Sequence, residues 1–165
     1  MEIAAEDLGR IPRANLRVDA AQFADLWVAA EAHQESARCD AFTAGVVDTC
    51  RWLAQAVMRP DAPWFAAPAP VSAGRGAAIP ERIAAESGAA ELEWARLLRD
   101  GARSPERDRI AGVVSTLRWA WSRTGPSPTL YLTDTAHQSR PNDTSVGSVR
   151  CAESDWSSAS RHCAS

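Results

Sequence analysis

Apolar residues recur at helical spacing along most of this chain, and their pattern sets out a helical body between two non-helical ends. Val18, Phe23, Leu26, Trp27 and Ala30 share one helical stripe, and Asp19 stands where an N-cap is expected. Helix-forming residues then continue without Gly or Pro to Ala44. The stretch up to Met58 reads either as one long helix or as two helices parted near residues 36–40. The second is preferred, because the later half of the chain breaks at the matching place. There Gly101 ends a helix, Ser104 caps the next and Pro105 suits its first turn. A further helix opens at Pro80 or Glu81 and runs to about Asp100. The last core helix spans about Pro105 to Arg123 and is stopped by Gly125-Pro126.

The helical body repeats itself. Ala44-Gly45-Val46-Val47-Asp48-Thr49-Cys50-Arg51-Trp52 returns as Ala111-Gly112-Val113-Val114-Ser115-Thr116-Leu117-Arg118-Trp119, identical at seven of nine positions and offset by 67 residues. The same offset carries Trp27 onto Trp94. The expected fold is therefore all-α: a four- to five-helix bundle built from two helix-pair repeats, about 24–56 and 91–123, packed about a pseudo-two-fold axis.

Projected at about 100° per residue, the repeated helix is apolar or small on two sides. Val46, Val47, Cys50, Leu53, Ala54 and Val57 form one face, while Gly45, Thr49 and Ala56 lie on the side of Trp52. In the second copy Val113, Val114, Leu117, Ala120 and Trp121 oppose Gly112, Thr116 and Trp119. A helix of this kind is sandwiched in a core or lies at an interface. The two copies are expected to cross closely at Gly45 and Gly112, with Trp52 and Trp119 packed over the crossing. Arg51 and Arg118 sit beside the two Trp residues. Asp48 or Asp40 is the expected partner of Arg51, and Glu86, Glu91 or Glu93 that of Arg118.

Outside the repeats the pattern fades. Residues 1–17 read as a polar arm containing Gly9 and Pro12, and 18–125 as the bundle. Within it, 59–80 form a Pro-rich connection holding five of the ten prolines, stapled to the core by Trp64 and Phe65. Residues 126–165 are rich in Ser, Thr, Asp and Arg and read as a disordered C-terminal tail.

All 18 basic residues are arginine and the net charge is −3. The bias follows from a GC-rich genome, and the scatter of the arginines gives no nucleic-acid footprint. No run of about 18 apolar residues is present, so no membrane span is expected. The acidic start Glu2–Asp7 is not a secretory signal, and a cytoplasmic protein is expected. The four cysteines, Cys39, Cys50, Cys151 and Cys163, then read as free thiols.

Candidate chemistry is sparse. His33, Cys39, Asp40 and Cys50 come closest to a metal set, but their spacing matches no zinc pattern, and no metal or cofactor is expected. There is no Gly-x-Ser-x-Gly elbow, and Glu31 and Glu35 beside His33 read as a solvated helical face. Ser72-Ala73-Gly74-Arg75-Gly76 lacks the lysine and preceding strand of a phosphate loop. Ser104-Pro105-Glu106-Arg107-Asp108-Arg109 is too mixed in charge for a DNA-recognition helix.

Arg38-Cys39-Asp40-Ala41, Cys50-Arg51-Trp52-Leu53-Ala54, Ala69-Pro70-Val71 and Trp119-Ala120-Trp121 together resemble small, uncharacterised all-helical proteins of high-GC actinobacteria. The resemblance covers roughly residues 36–126. It implies a bacterial cytosolic protein with an all-α fold and carries no activity.

The function expected from these readings is that of a non-enzymatic, regulatory helical protein acting by protein–protein interaction or self-association. A protein partner or homo-oligomer is expected, and nucleic acid is not. The expected contact residues are Arg51, Trp52, Trp64, Arg118 and Trp119. The alternative is a small-molecule or anion-binding bundle, with Trp52, Trp119, Arg51 and Arg118 lining one pocket between the repeats.

Overall fold

The computed structural model describes residues 9, 11–36, 40–56, 67–101 and 103–130. Trp64, Phe65, Cys39 and the stretch 131–165 lie outside the described residues. Four helices pack together: α1 (Ala20–Glu35), α2 (Ala41–Leu53), α3 (Pro80–Asp100) and α4 (Pro105–Leu117). The described residues contain no strand.

Local chemistry sets the helix ends. The Asp19 carboxylate accepts from the Ala21 and Gln22 amides at 2.9 and 3.3 Å. Asp40 accepts from the Thr43 amide at 2.7 Å, and Ser104 from the Arg107 amide at 3.1 Å. These caps satisfy N–H groups that have no partner inside their own helix. Asp40 thus begins a separate helix, and the chain does break between residues 36 and 40. α3 starts on Pro80 and ends on Gly101, whose φ of 74° is the left-handed conformation that closes a helix.

α2 stops at Leu53, earlier than the expected Met58, through a Schellman closure. Gln55 takes a φ of 55°, its amide donates to the Trp52 carbonyl, and the Ala56 amide donates to the Arg51 carbonyl. The second copy ends differently. α4 continues into a π-helical turn, Arg118–Ser122, before Arg123 takes the left-handed conformation at φ 54°. Here the Thr124 amide donates to the Arg118 carbonyl, a span one residue longer than Arg51 to Ala56. The π turn absorbs that extra residue without disturbing the helix before it. It also leaves the Ala120 carbonyl to accept from the Arg17 amide at 2.8 Å.

α2 and α4 form the central contact, with α1 packed on α2 and α3 on α4. The crossing falls at the two repeat glycines. A Cβ on Gly45 would collide with the Arg109 carbonyl oxygen, and a Cβ on Gly112 with the Phe42 carbonyl oxygen. Phe42 and Arg109 are themselves 67 residues apart, so the two contacts exchange under the repeat offset. The Thr49 and Thr116 hydroxyls donate back to the Gly45 and Gly112 carbonyls at 2.8 and 2.9 Å, so each hydroxyl is satisfied within its own helix. Around the crossing Val46, Val47, Cys50, Leu53, Val113, Val114 and Leu117 are buried. Trp52 and Trp119, each seven residues or about 10 Å of helix beyond its glycine, are buried as well.

The segment read as a polar arm forms part of the core. Ile11 and Leu16 are buried, and Asn15 is 1% exposed at the end of a short 3-10 turn, Arg13–Asn15. The Asn15 amide nitrogen donates to the Leu53 carbonyl at 2.9 Å and to the Ala78 carbonyl at 3.0 Å. One side chain thereby ties the end of α2 to the approach to α3. Arg17 then lies over the Trp121 ring, 4.2 Å from its centroid. Asn15→Ala should cost about 1–2 kcal/mol in urea denaturation, because the Leu53 carbonyl loses its donor while the Ala78 carbonyl keeps the Gln55 side-chain amide at 2.9 Å. At the other end, Pro128 is buried and Leu130 packs against the core. The chain therefore stays packed on the bundle past residue 126.

Candidate interaction surface

Two arginines at equivalent positions of the repeat are held by different means. Arg51 donates from Nε and Nη2 to the two carboxylate oxygens of Glu31, both at 2.6 Å. Trp27 Nε1 donates to the same carboxylate at 2.9 Å from one helical turn earlier. Glu31 is 3% exposed, so this three-donor cluster is an internal tie between α1 and α2. It corrects the reading of Glu31 as a solvated side chain and of Asp48 or Asp40 as the partner of Arg51. Arg118 makes the same bidentate contact with Glu91 on α3 at 2.6 Å, as one of the expected pairings has it, but in the open. The Arg118 and Glu91 side chains are 46% and 39% exposed.

The other site residues separate. Trp119 is buried and stacks on Phe23 of α1, centroids 6.4 Å apart. Trp52 is buried on the opposite side, where it lines a cleft of about 240 Å³ with Ser72, Gly74, Arg75, Gly76, Arg82 and Glu86. Arg51 borders a second groove with Asp48 and residues 67–70, and Arg118 a third beside Gly125 to Pro128. The four residues therefore do not line one pocket between the repeats. Trp64 lies outside the described residues.

The Trp52 cleft owes its shape to Glu86. This carboxylate is 4% exposed and accepts from the Val71 and Ser72 amides at 2.5 and 2.9 Å and from the Ser72 hydroxyl at 2.7 Å. α3 thereby holds the turn at 70–72 in place, and Arg109 of α4 holds it from below by donating to the Pro70 carbonyl at 2.9 Å. Trp52 Nε1 is buried and has no acceptor among the described residues.

The remaining polar groups of the core carry little chemistry. Burial pushes the Cys50 thiol well above its ordinary range, which makes it inert at neutral pH. Burial also raises Asp48, against the opposing pull of Arg109 and Arg51. His33 is buried rather than at the surface, with Nε2 3.6 Å from Asp40. Among the described residues no group of three or more His, Cys, Asp or Glu side chains is placed to hold a metal ion. None of their helices is long and apolar enough to cross a membrane.

The surface that stands out belongs to α3. Its inner face carries Ile83, Glu86, Ala90 and Leu97, all buried. Its outer face carries Ala84, Ala85, Gly88, Leu92 and Ala95, all exposed. Leu92 is 75% exposed and Leu98 45%. No charge interrupts that outer face for three turns. The repeat-related positions of α1 differ: the partner of Leu92 is Asp25, and the partner of the half-exposed Leu98 is the buried Glu31. A sequence signal for this face exists in the spacing Ala85, Gly88, Leu92, Ala95, but small residues on a helix do not by themselves distinguish an outer face from an inner one.

Compared with protein-family models, with curated proteins and with solved structures, the chain finds no match.

Proposed function

We propose that this is a non-enzymatic interaction protein that acts through the outer face of α3, by self-association or by receiving a helical partner. In this reading the bundle is two helix-pair repeats, α1–α2 and α3–α4. The first pair is closed by the buried Glu31–Arg51–Trp27 tie. The second keeps its equivalent arginine at the surface and turns an apolar helix face outward. The observation that carries the reading is Leu92, 75% exposed at the centre of a charge-free stripe. Exposed single leucines are ordinary, but a leucine set among small residues lets another helix approach closely. Leu92→Glu tests this. It should abolish concentration-dependent association measured by light scattering after size exclusion, and leave the melting temperature within about a degree, because the side chain supports no core packing. Association that survives in Leu92→Glu would overturn the reading.

A second reading, anion binding, draws on the cleft between Trp52 and α3. Arg75 and Arg82 line it, and the buried Trp52 indole lacks an acceptor. Inorganic phosphate added to the protein should then shift the Trp52 indole N–H signal, assigned through Trp52→Phe, in nitrogen–proton correlation spectra. An unmoved signal at millimolar phosphate would dismiss this reading.

A further inference from the structure

We propose that the occupant of the α3 outer face is the α3 helix of a second copy of this chain, laid antiparallel about a two-fold axis at residue 90. The proposal rests on the reading that this face is the working surface and names what covers it.

Glu81, Ala85, Gly88, Leu92, Ala95 and Arg99 are all exposed and follow one another at intervals of 4, 3, 4, 3 and 4 residues. This is the a/d spacing of a two-helix seam, with Ala85, Leu92 and Arg99 at one heptad position and Glu81, Gly88 and Ala95 at the other. In an antiparallel pair each residue of one kind meets one of the other kind. Centred on residue 90, every layer is complementary. Leu92 enters the space over the partner's Gly88, where a Cβ would meet nothing within 4 Å. Ala85 meets the partner's Ala95. Glu81 meets the partner's Arg99, and the two-fold axis repeats each contact.

The ends of the seam decide the direction. Neither Glu81 nor Arg99 has an ion-pair partner among the described residues. Arg96, by contrast, is already held by Glu93 and Asp100 on its own helix. Arg99 Nε donates to the Ala95 carbonyl of its own helix at 3.4 Å, and an antiparallel pair gives its charge and that of Glu81 an opposite partner, twice over. A parallel pair would set Glu81 against Glu81 and Arg99 against Arg99, and would stack leucine on leucine while leaving glycine facing glycine. Self-complementarity about a two-fold axis is what an isologous dimer requires. The seam runs about 27 Å, and an interface of one helix pair is smaller than the 1,200 Å² of stable complexes, so the dimer should be in rapid exchange with a dissociation constant in the micromolar range.

The test uses the full chain with Cys39, Cys151 and Cys163 replaced by serine and the buried Cys50 retained. Under mild oxidation Ala85→Cys alone and Ala95→Cys alone should stay uncross-linked, whereas an equal mixture of the two variants should give a disulfide dimer. Glu81→Arg and Arg99→Glu should each weaken association about tenfold, and the double variant should restore it. Cross-linking of either single variant with itself, as efficiently as in the mixture, would overturn the antiparallel register. A dimer abolished by Leu92→Glu but lacking the 85–95 cross-link would overturn this geometry and leave the α3 reading standing. A chain that remains monomeric would overturn this proposal and leave only a helical partner for the face, and a dimer indifferent to Leu92→Glu would overturn both.

Discussion

Gly45→Ala loses about 3 kcal/mol of stability, and Gly112→Ala loses about as much, when each is measured by chemical denaturation. The methyl group would have to occupy the place of a backbone carbonyl, that of Arg109 in one case and of Phe42 in the other. Backbone cannot step aside as a flexible side chain can, so α2 and α4 must part along their whole contact. Dispersion contacts among Val46, Val47, Val113 and Val114 are lost with the separation. Alanine's better helix propensity returns about 1 kcal/mol, too little to offset this. The two sites share one crossing, so the double variant should cost less than the sum of the singles by about 1 kcal/mol or more. Gly88→Ala is the control: in the monomer it faces open space and should gain about 0.5–1 kcal/mol from propensity alone. A neutral Gly45→Ala would mean that the helices do not approach at that point.

Glu31→Ala should cost about 3–4 kcal/mol, whereas Arg118→Ala should cost less than about 1 kcal/mol. Removing Glu31 strands three donors at once, the Trp27 indole and two nitrogens of Arg51, whose side chain is only 15% exposed. An unpaired buried guanidinium is the larger part of that loss. Arg118 and Glu91 are bathed in solvent on both sides, and either one can be rehydrated when its partner is removed. The sharper form of the prediction replaces both members of the buried pair. Glu31→Leu with Arg51→Leu should recover most of the loss suffered by Glu31→Ala, because no charge is then left without a partner. Equal costs for Glu31→Ala and Arg118→Ala in thermal melts would show that the buried tie is as solvated as its surface counterpart.

The parts of this fold that were legible in the sequence are those set locally or by the repeat. Asp19, Ser104, Pro105 and Gly101 act within a turn of where they stand, and the structure places them as helix caps and ends. The crossing at Gly45 and Gly112 was legible because the same small residue recurs at the same place in two copies. What escaped depends on distant partners. Asn15 looks like a loop residue until Leu53 and Ala78 supply its two acceptors. Glu31 reads as solvated because charged residues usually are, although Trp27 one turn earlier offered a donor. The π turn at Arg118–Ser122 follows from a single extra residue before Arg123, visible only when the two helix ends are compared. Of the candidate contact residues, Arg51 and Trp119 are used internally, Arg118 is paired at the surface and Trp52 lines a cleft. The outer face of α3 was hidden by its own composition, since alanine and glycine mark a close approach without saying which side it is on.

Sedimentation equilibrium on the full chain, from about 10 μM to about 1 mM, bears most directly on the self-association proposed for α3. The expected result is a reversible monomer–dimer equilibrium that Leu92→Glu reduces to monomer at every concentration. A single ideal monomer throughout that range, in the unaltered protein, would contradict it.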